Sequence, residues 1–194
     1  KSAVVTRGKD EPLVYVSTAF FEGDTVEKME VLWERTKAAD FPKWPKRIRT
    51  LSTEEACVYL VRKISSGSGP ALISRYMDLK HLLEKEKSIN WVEVKNSLRN
   101  WGAEPEAWFV LSTLSSVFGC EPAGDAKSQF EKSVPQIRKD FYKKLSANGK
   151  LLASTPEETL TDDLKRQYAV HGTWSTALQE SVKKLFKKSN QEAA

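Results

Sequence analysis

The residue types that most often do chemistry in proteins are sparse in this chain and stand apart from one another. His81, His171, Cys57 and Cys120 have no companion at the spacing of metal ligands. The chain holds neither a glycine-rich phosphate loop nor a nucleophile elbow. These patterns predict a protein that acts through its surfaces, without catalytic residues, cofactor or metal. An enzyme whose helices bring distant carboxylates together is the minority alternative.

The same four residues have structural interpretations. Each cysteine stands beside apolar neighbours, which predicts buried free thiols of an intracellular protein rather than a disulfide. His81 falls within a predicted helix, and His171 precedes Gly172 at a predicted helix end. No apolar run approaches the ~18 residues that cross a bilayer. We therefore expect a soluble cytoplasmic protein with no membrane partner.

Basic residues occur together with aromatic ones in three segments, which are the candidate binding sites. In Lys43–Arg49, Pro42 and Pro45 prevent a helix, whereas Arg138–Lys144 and Lys183–Lys188 fall on predicted helices. Cations beside an aromatic ring can bind phosphates while the ring stacks on a base of a single strand. On the helices, a solvated face of i,i+4 lysines is the alternative. The predicted nucleic-acid-binding residues are Lys43, Trp44, Lys46, Arg47, Arg49, Arg138, Lys139, Tyr142 and Lys143.

The composition agrees with a folded protein that tolerates a polyanionic partner. Of 194 residues 40% are hydrophobic, with six Trp and eight Phe, enough for a substantial core. Lysine and arginine number 31 against 26 acidic residues, a net charge of +5. This mild excess favours nucleic acid as a partner without requiring it.

Helix-start signatures recur along the chain and position these segments. In a capping box, a short side-chain oxygen accepts a hydrogen bond from an N–H of the first helical turn. Boxes or close variants begin at Asp24, Ser52, Asn90, Ser133 and Thr155, and a weaker one at Thr173. We expect Pro105, Pro135 and Pro156 at first helical positions, where proline sacrifices no hydrogen bond.

Apolar residues spaced by three or four follow each box, which is typical of helices that bury one face. Aromatic residues at Trp91, Trp101, Trp108, Phe109 and Phe118 match this spacing and are assigned to the core. Helix ends are predicted at Gly102, Gly119, Pro122, Asn148-Gly149 and Gly172, among other breaks. The expected fold is all-α, a helical bundle of seven or eight helices with an extended N-terminal arm.

The N-terminal arm is apolar and β-prone and has no obvious hairpin partner in the sequence. An apolar segment of this kind must pack on its own helices or on a neighbouring subunit. The predicted arm contacts are Val14, Tyr15, Val16, Phe20 and Phe21. The predicted divisions are an arm at 1–23, a helical core at 24–188 and a disordered tail at 189–194.

Several segments resemble the coat proteins of flexuous filamentous plant viruses, the potexvirus-like group. Val26–Trp33 followed by Ser52–Arg62 is similar to the first two core helices of that group. Ser65–Ser68 falls where those proteins carry a Gly-Ser-Ser-like turn, and Asp140-Phe141-Tyr142 is similar to their Asp-Phe-Phe element near the RNA groove. The resemblance implies a subunit that polymerises helically, threads single-stranded RNA along a basic groove and links neighbours through terminal arms.

These observations lead to one functional hypothesis and one alternative. The hypothesis is a self-assembling structural protein of coat or nucleocapsid type that binds single-stranded RNA and itself and resides in a virion if the resemblance holds. Its affinity would come from phosphate contacts that do not depend on base sequence. The alternative is a helical adaptor that binds other proteins and no nucleic acid.

Overall fold

The computed structural model describes residues 2–5, 14–17, 36–38, 49–66, 71–86, 88–132, 134–152 and 159–192. The chain divides into two compact units, residues 1–55 and 56–194. The boundaries expected at residues 23 and 188 stay predictions.

Two short antiparallel ladders are described in the first unit. Strand β1 (Ser2–Val5) pairs with β2 (Val14–Ser17), and β3 (Lys37–Ala38) pairs with β4 (Arg49–Thr50). The first ladder contains Val14, Tyr15 and Val16 of the predicted arm, whereas Phe20 and Phe21 lie outside the described residues. Strand β1 is thus a partner that the sequence did not reveal, because the connection 6–13 is longer than the tight turns that mark hairpins.

Eight helices lie in the described residues, which confirms the all-α prediction. The helix predicted from Asp24 falls outside those residues. The eight are α1 (Thr53–Ser65), α2 (Ala71–Lys85), α3 (Trp91–Asn100), α4 (Glu104–Phe118), α5 (Glu121–Glu131), α6 (Gln136–Ala147), α7 (Leu160–His171) and α8 (Trp174–Glu192).

Three of the predicted caps form as expected. The backbone N–H of Glu55 donates to the Ser52 hydroxyl at 3.2 Å. The Asn90 side chain accepts from the N–H of Glu93 at 3.3 Å, and the Thr173 hydroxyl accepts from the N–H of Thr176 at 3.4 Å. Each cap satisfies a donor that the first helical turn leaves free.

Two other helix starts differ from the prediction. Pro135 is the extended residue that precedes α6 rather than its first helical residue. Helix α7 is capped by Thr159, whose hydroxyl accepts from the N–H of Asp162 at 3.2 Å, and Thr155 lies outside the described residues. Pro122, predicted to stop a helix, is instead the second residue of α5, where its missing N–H costs nothing.

The second unit is built around α4. This helix contacts α2, α3, α5 and α7, and every residue from Ala107 to Leu114 is buried. A helix that is apolar on nearly all sides is stable only inside a protein. Trp108 and Phe109 are buried as predicted, and Trp91, Trp101 and Phe118 pack against the core from its periphery.

Both cysteines are buried free thiols, as predicted. Burial raises the pKa of the Cys120 thiol. Within the described ranges, none of the helices combines the length and hydrophobicity needed to traverse a bilayer.

Candidate functional site

The loop from Lys43 to Arg49 is only partly described. Lys43, Trp44, Lys46 and Arg47 lie outside the described residues, so their roles stay predictions. The backbone of Arg49 lies in β4, opposite Ala38 of β3. The basic segment on α6 is fully described and forms the candidate site.

Arg138 projects from α6 into the core, where only 1% of its surface is exposed. Its guanidinium donates to the carbonyl oxygens of Ala169 at 2.7 Å, Val170 at 2.5 Å and Pro105 at 2.7 Å. Ala169 and Val170 belong to the last turn of α7, whose carbonyls lack partners within their own helix. Arg138 therefore caps the C-terminus of α7 from the neighbouring helix.

The buried guanidinium carries an electrostatic cost that its surroundings offset in part. Burial lowers the pKa of Arg138 to about 10, while Tyr168 and Glu106 act in the opposite direction. The guanidinium also lies over the ring of Trp108, 5.4 Å from its centroid. At neutral pH the group is charged and fully engaged inside the protein.

Tyr142 also faces the core. Its hydroxyl forms a 2.8 Å hydrogen bond with the Ser116 hydroxyl. Its ring meets Trp108 and Phe109 edge to face, with centroids 5.3 and 5.5 Å apart. Burial raises the pKa of the Tyr142 phenol. The expectation that Arg138 binds phosphate and Tyr142 stacks on a base is corrected, because neither side chain is accessible.

The lysines of α6 lie on the opposite, solvent-facing side. Lys139 forms a 3.2 Å ion pair with Glu131. Lys143 and Lys144 are exposed, and neither forms an ion pair with another described residue. Arg138 and Tyr142 thus hold one face of the helix in the core while its lysines are presented to solvent.

A second polar cluster joins α1, α4 and α7. The Glu106 carboxylate lies between two partners, with one oxygen 2.8 Å from Nδ1 of His171 and the other accepting from the Ser65 hydroxyl. In a serine hydrolase the histidine lies between the serine and the acid, so that it can accept the serine proton. Here the Glu106 carboxylate lies between the serine and the histidine, so the histidine cannot accept the Ser65 proton. The cluster links α1, α4 and α7.

His81 is exposed on α2. Across the described part of the chain, His, Cys, Asp and Glu side chains form no group of three or more that could hold a metal ion.

The last helix, α8, presents a face that differs from its predicted one. Trp174, Leu178 and Val182 have the four-residue spacing that is typical of a buried helix face, but all three are exposed. Ala177 and Ser181 are buried instead. These two small residues are four apart and permit the close approach of α7 and α8. Their spacing is the sequence feature that could have predicted the buried face of α8.

Trp174 packs with two further aromatic rings, Phe141 of α6 and the buried Tyr168 of α7. Trp174 and Tyr168 are stacked, with centroids 4.2 Å apart and an interplanar angle of 16°. Phe141 meets Tyr168 edge to face at 5.8 Å and Trp174 at 6.1 Å. About half of the Trp174 surface, 47%, is exposed to solvent.

Comparison of the chain with protein-family models, with curated proteins and with solved structures found no match.

Proposed function

We propose that this protein is a structural protein of coat or nucleocapsid type that binds single-stranded RNA and associates with further copies of itself. The observation that supports this proposal best is the exposure of Lys143 and Lys144 on a helix that buried side chains anchor to the core. Arg138 and Tyr142 fix their helix to the core, so RNA binding does not have to order the backbone that carries the two charges.

The distribution of charge along the sequence supports the same proposal. Segments 43–49, 131–150 and 183–188 each carry a net charge of +4, whereas the whole chain carries +5. The remaining residues therefore have a net charge of −7. Segregated positive charge favours contact with a polyanion, because each neutralised phosphate releases a counterion.

The RNA contacts that this proposal retains are Lys43, Trp44, Lys46, Arg47 and Arg49 in the first unit and Lys139 and Lys143 on α6. Lys144 joins them because it is exposed beside Lys143. The resemblance to coat proteins of flexuous filamentous plant viruses is consistent with these contacts and with self-association.

Self-association is supported by an apolar strip on α2. Ile73 and Met77 lie one helical turn apart, and both are about half exposed. Adjacent exposed apolar side chains of this kind mark protein contacts more often than isolated ones do. The same strip favours a second candidate function, a helical adaptor that docks other proteins.

A charge-reversal experiment tests the RNA proposal. The double variant Lys143→Glu/Lys144→Glu is compared with the wild type for binding of a labelled oligouridylate at ~50 and ~200 mM salt. Phosphate contacts by all seven retained cations would correspond to a wild-type loss on the order of a thousandfold across that range. For the variant we expect affinity on the order of tenfold weaker and a salt slope smaller by about 1.4.

The matched control is Lys85→Glu/Lys127→Glu, which changes the net charge equally on α2 and α5. The proposal requires this control to bind more tightly than the α6 variant. If both variants lose RNA affinity equally, the loss reflects net charge alone, and α6 is not a specific RNA-binding site. Weak, salt-insensitive retention by the wild type would instead favour the adaptor.

A further inference from the structure

The aromatic cluster of Phe141, Tyr168 and Trp174, here called the aromatic platform, lies between helices that also carry exposed lysines. Arg138, near the start of α6, contacts Ala169, near the end of α7, and Phe141 contacts Tyr168, which is the order expected of antiparallel helices. Continuing that register by one helical turn brings Lys144 level with Lys165.

Each lysine lies one helical turn along the chain from a residue of the platform. Lys144 follows Phe141 by three residues and Lys165 precedes Tyr168 by three, and residues three apart share one side of a helix. Both side chains are exposed, and neither forms an ion pair with any residue in the described ranges. The platform is therefore flanked by two available cations.

The acidic residues that face these lysines are engaged locally. Asp140, one turn before Lys144, accepts a hydrogen bond from the Gln136 amide at 2.9 Å. The carboxylate of Asp162, one turn before Lys165, accepts from the Thr159 hydroxyl at 3.0 Å, and the backbone N–H of Asp162 donates to that hydroxyl at 3.2 Å. Neither carboxylate forms an ion pair with the neighbouring lysine.

We propose that Trp174 is a base-stacking residue for single-stranded RNA, with Lys144 and Lys165 binding the flanking phosphates. This inference rests on the proposed function and assigns the stacking role that Tyr142, buried in the core, does not fill. Tyr168 covers one face of the Trp174 ring and Phe141 meets it edge-on, so the ring is held in place for a base.

An oligonucleotide fits this surface better than an apolar peptide does. Successive bases can stack on an exposed ring in a sequence-tolerant way, while lysines follow the backbone. An apolar peptide would use the ring but would gain nothing from the two cations. Charge complementarity therefore favours RNA as the occupant.

The test compares three substitutions of Trp174 in the full chain, with binding of a labelled oligouridylate read by fluorescence anisotropy. Trp174→Ala is expected to weaken binding roughly 5- to 150-fold, which corresponds to about 1–3 kcal/mol for one stacked base. Trp174→Phe keeps an aromatic ring and is expected to retain most of the affinity. Trp174→Leu keeps apolar bulk without a ring and is expected to resemble Trp174→Ala.

Two controls separate stacking from other effects. Leu178→Ala removes an exposed apolar side chain from the same helix, 56% exposed, and is expected to leave RNA binding unchanged. Inorganic polyphosphate carries the charge of RNA without bases, so calorimetric titration with it is expected to give equal affinities for Trp174→Ala and the wild type. Circular dichroism confirms that each variant is folded.

The outcomes distinguish this inference from the proposed function. Tight, salt-dependent RNA binding that Trp174→Ala leaves unchanged overturns the stacking role alone. A loss in Leu178→Ala as large as that in Trp174→Leu identifies an apolar docking face and also overturns it. A wild type that binds neither oligouridylate nor polyphosphate overturns the proposed function, and the stacking role with it.

Discussion

At the scale of single residues, Arg138 shows how a charged side chain in a basic segment can be structural. Its replacement by Gln removes the donors to the buried carbonyls of Ala169 and Val170 and to the partly buried carbonyl of Pro105. Each unsatisfied buried group costs about 1–3 kcal/mol. We expect Arg138→Gln to lower the free energy of unfolding by roughly 3 kcal/mol or more, as measured by urea titration.

Lys143→Gln is the matched control, since it removes an exposed cation from the same helix. We expect it to change stability by less than about 0.5 kcal/mol. Arg138→Lys should fall between the two, because one ammonium group does not reproduce the planar guanidinium fork. Equal urea midpoints for Arg138→Gln and the wild type would contradict the capping role.

At the scale of elements, the corner between α7 and α8 depends on a close approach at Gly172. This residue has φ of +76°, and a Cβ placed there would lie 3.0 Å from Pro105 and 3.1 Å from the Arg138 guanidinium. Gly102 has a similar φ of +70° but open space around its Cα. Both alanine variants incur the left-handed strain of about 1–2 kcal/mol, and Gly172→Ala must also displace its neighbours.

We therefore expect Gly172→Ala to be more destabilising than Gly102→Ala, by about 1 kcal/mol or more in chemical denaturation. The comparison isolates crowding, because the backbone φ angles at the two positions differ by only 6°. If the two variants unfold at the same denaturant concentration, the corner is less tightly packed than these distances indicate.

At the scale of the whole molecule, the proposed self-association is predicted to use the apolar strip of α2. Ile73→Ser/Met77→Ser replaces both half-exposed side chains with polar ones. We expect the double variant to sediment as smaller species than the wild type while its thermal midpoint changes little. Val92→Ser is the control, because Val92 is exposed singly on α3, and it should assemble normally.

Much of the fold follows from local sequence signals, and the candidate site follows from them only in part. The caps at Ser52, Asn90 and Thr173 depend on residues three apart, so the sequence alone predicts them. The burial of Arg138 depends on carbonyls more than 30 residues away in the chain, and no local pattern reveals such partners. The choice of the α8 face that is buried, which leaves Trp174 exposed, likewise depends on the packing of α8 against α7.

The position of α8 at the edge of the second unit has a consequence for its dynamics. This helix of 19 residues packs chiefly against α7, which has 12, whereas α4 is enclosed by four helices. Amide hydrogens of α8 should therefore exchange with solvent deuterium well before those of α4, because opening the outer helix disrupts fewer contacts. A ligand bound at Trp174 would slow that exchange. RNA binding at this site would therefore be measured as slower amide hydrogen exchange along α8.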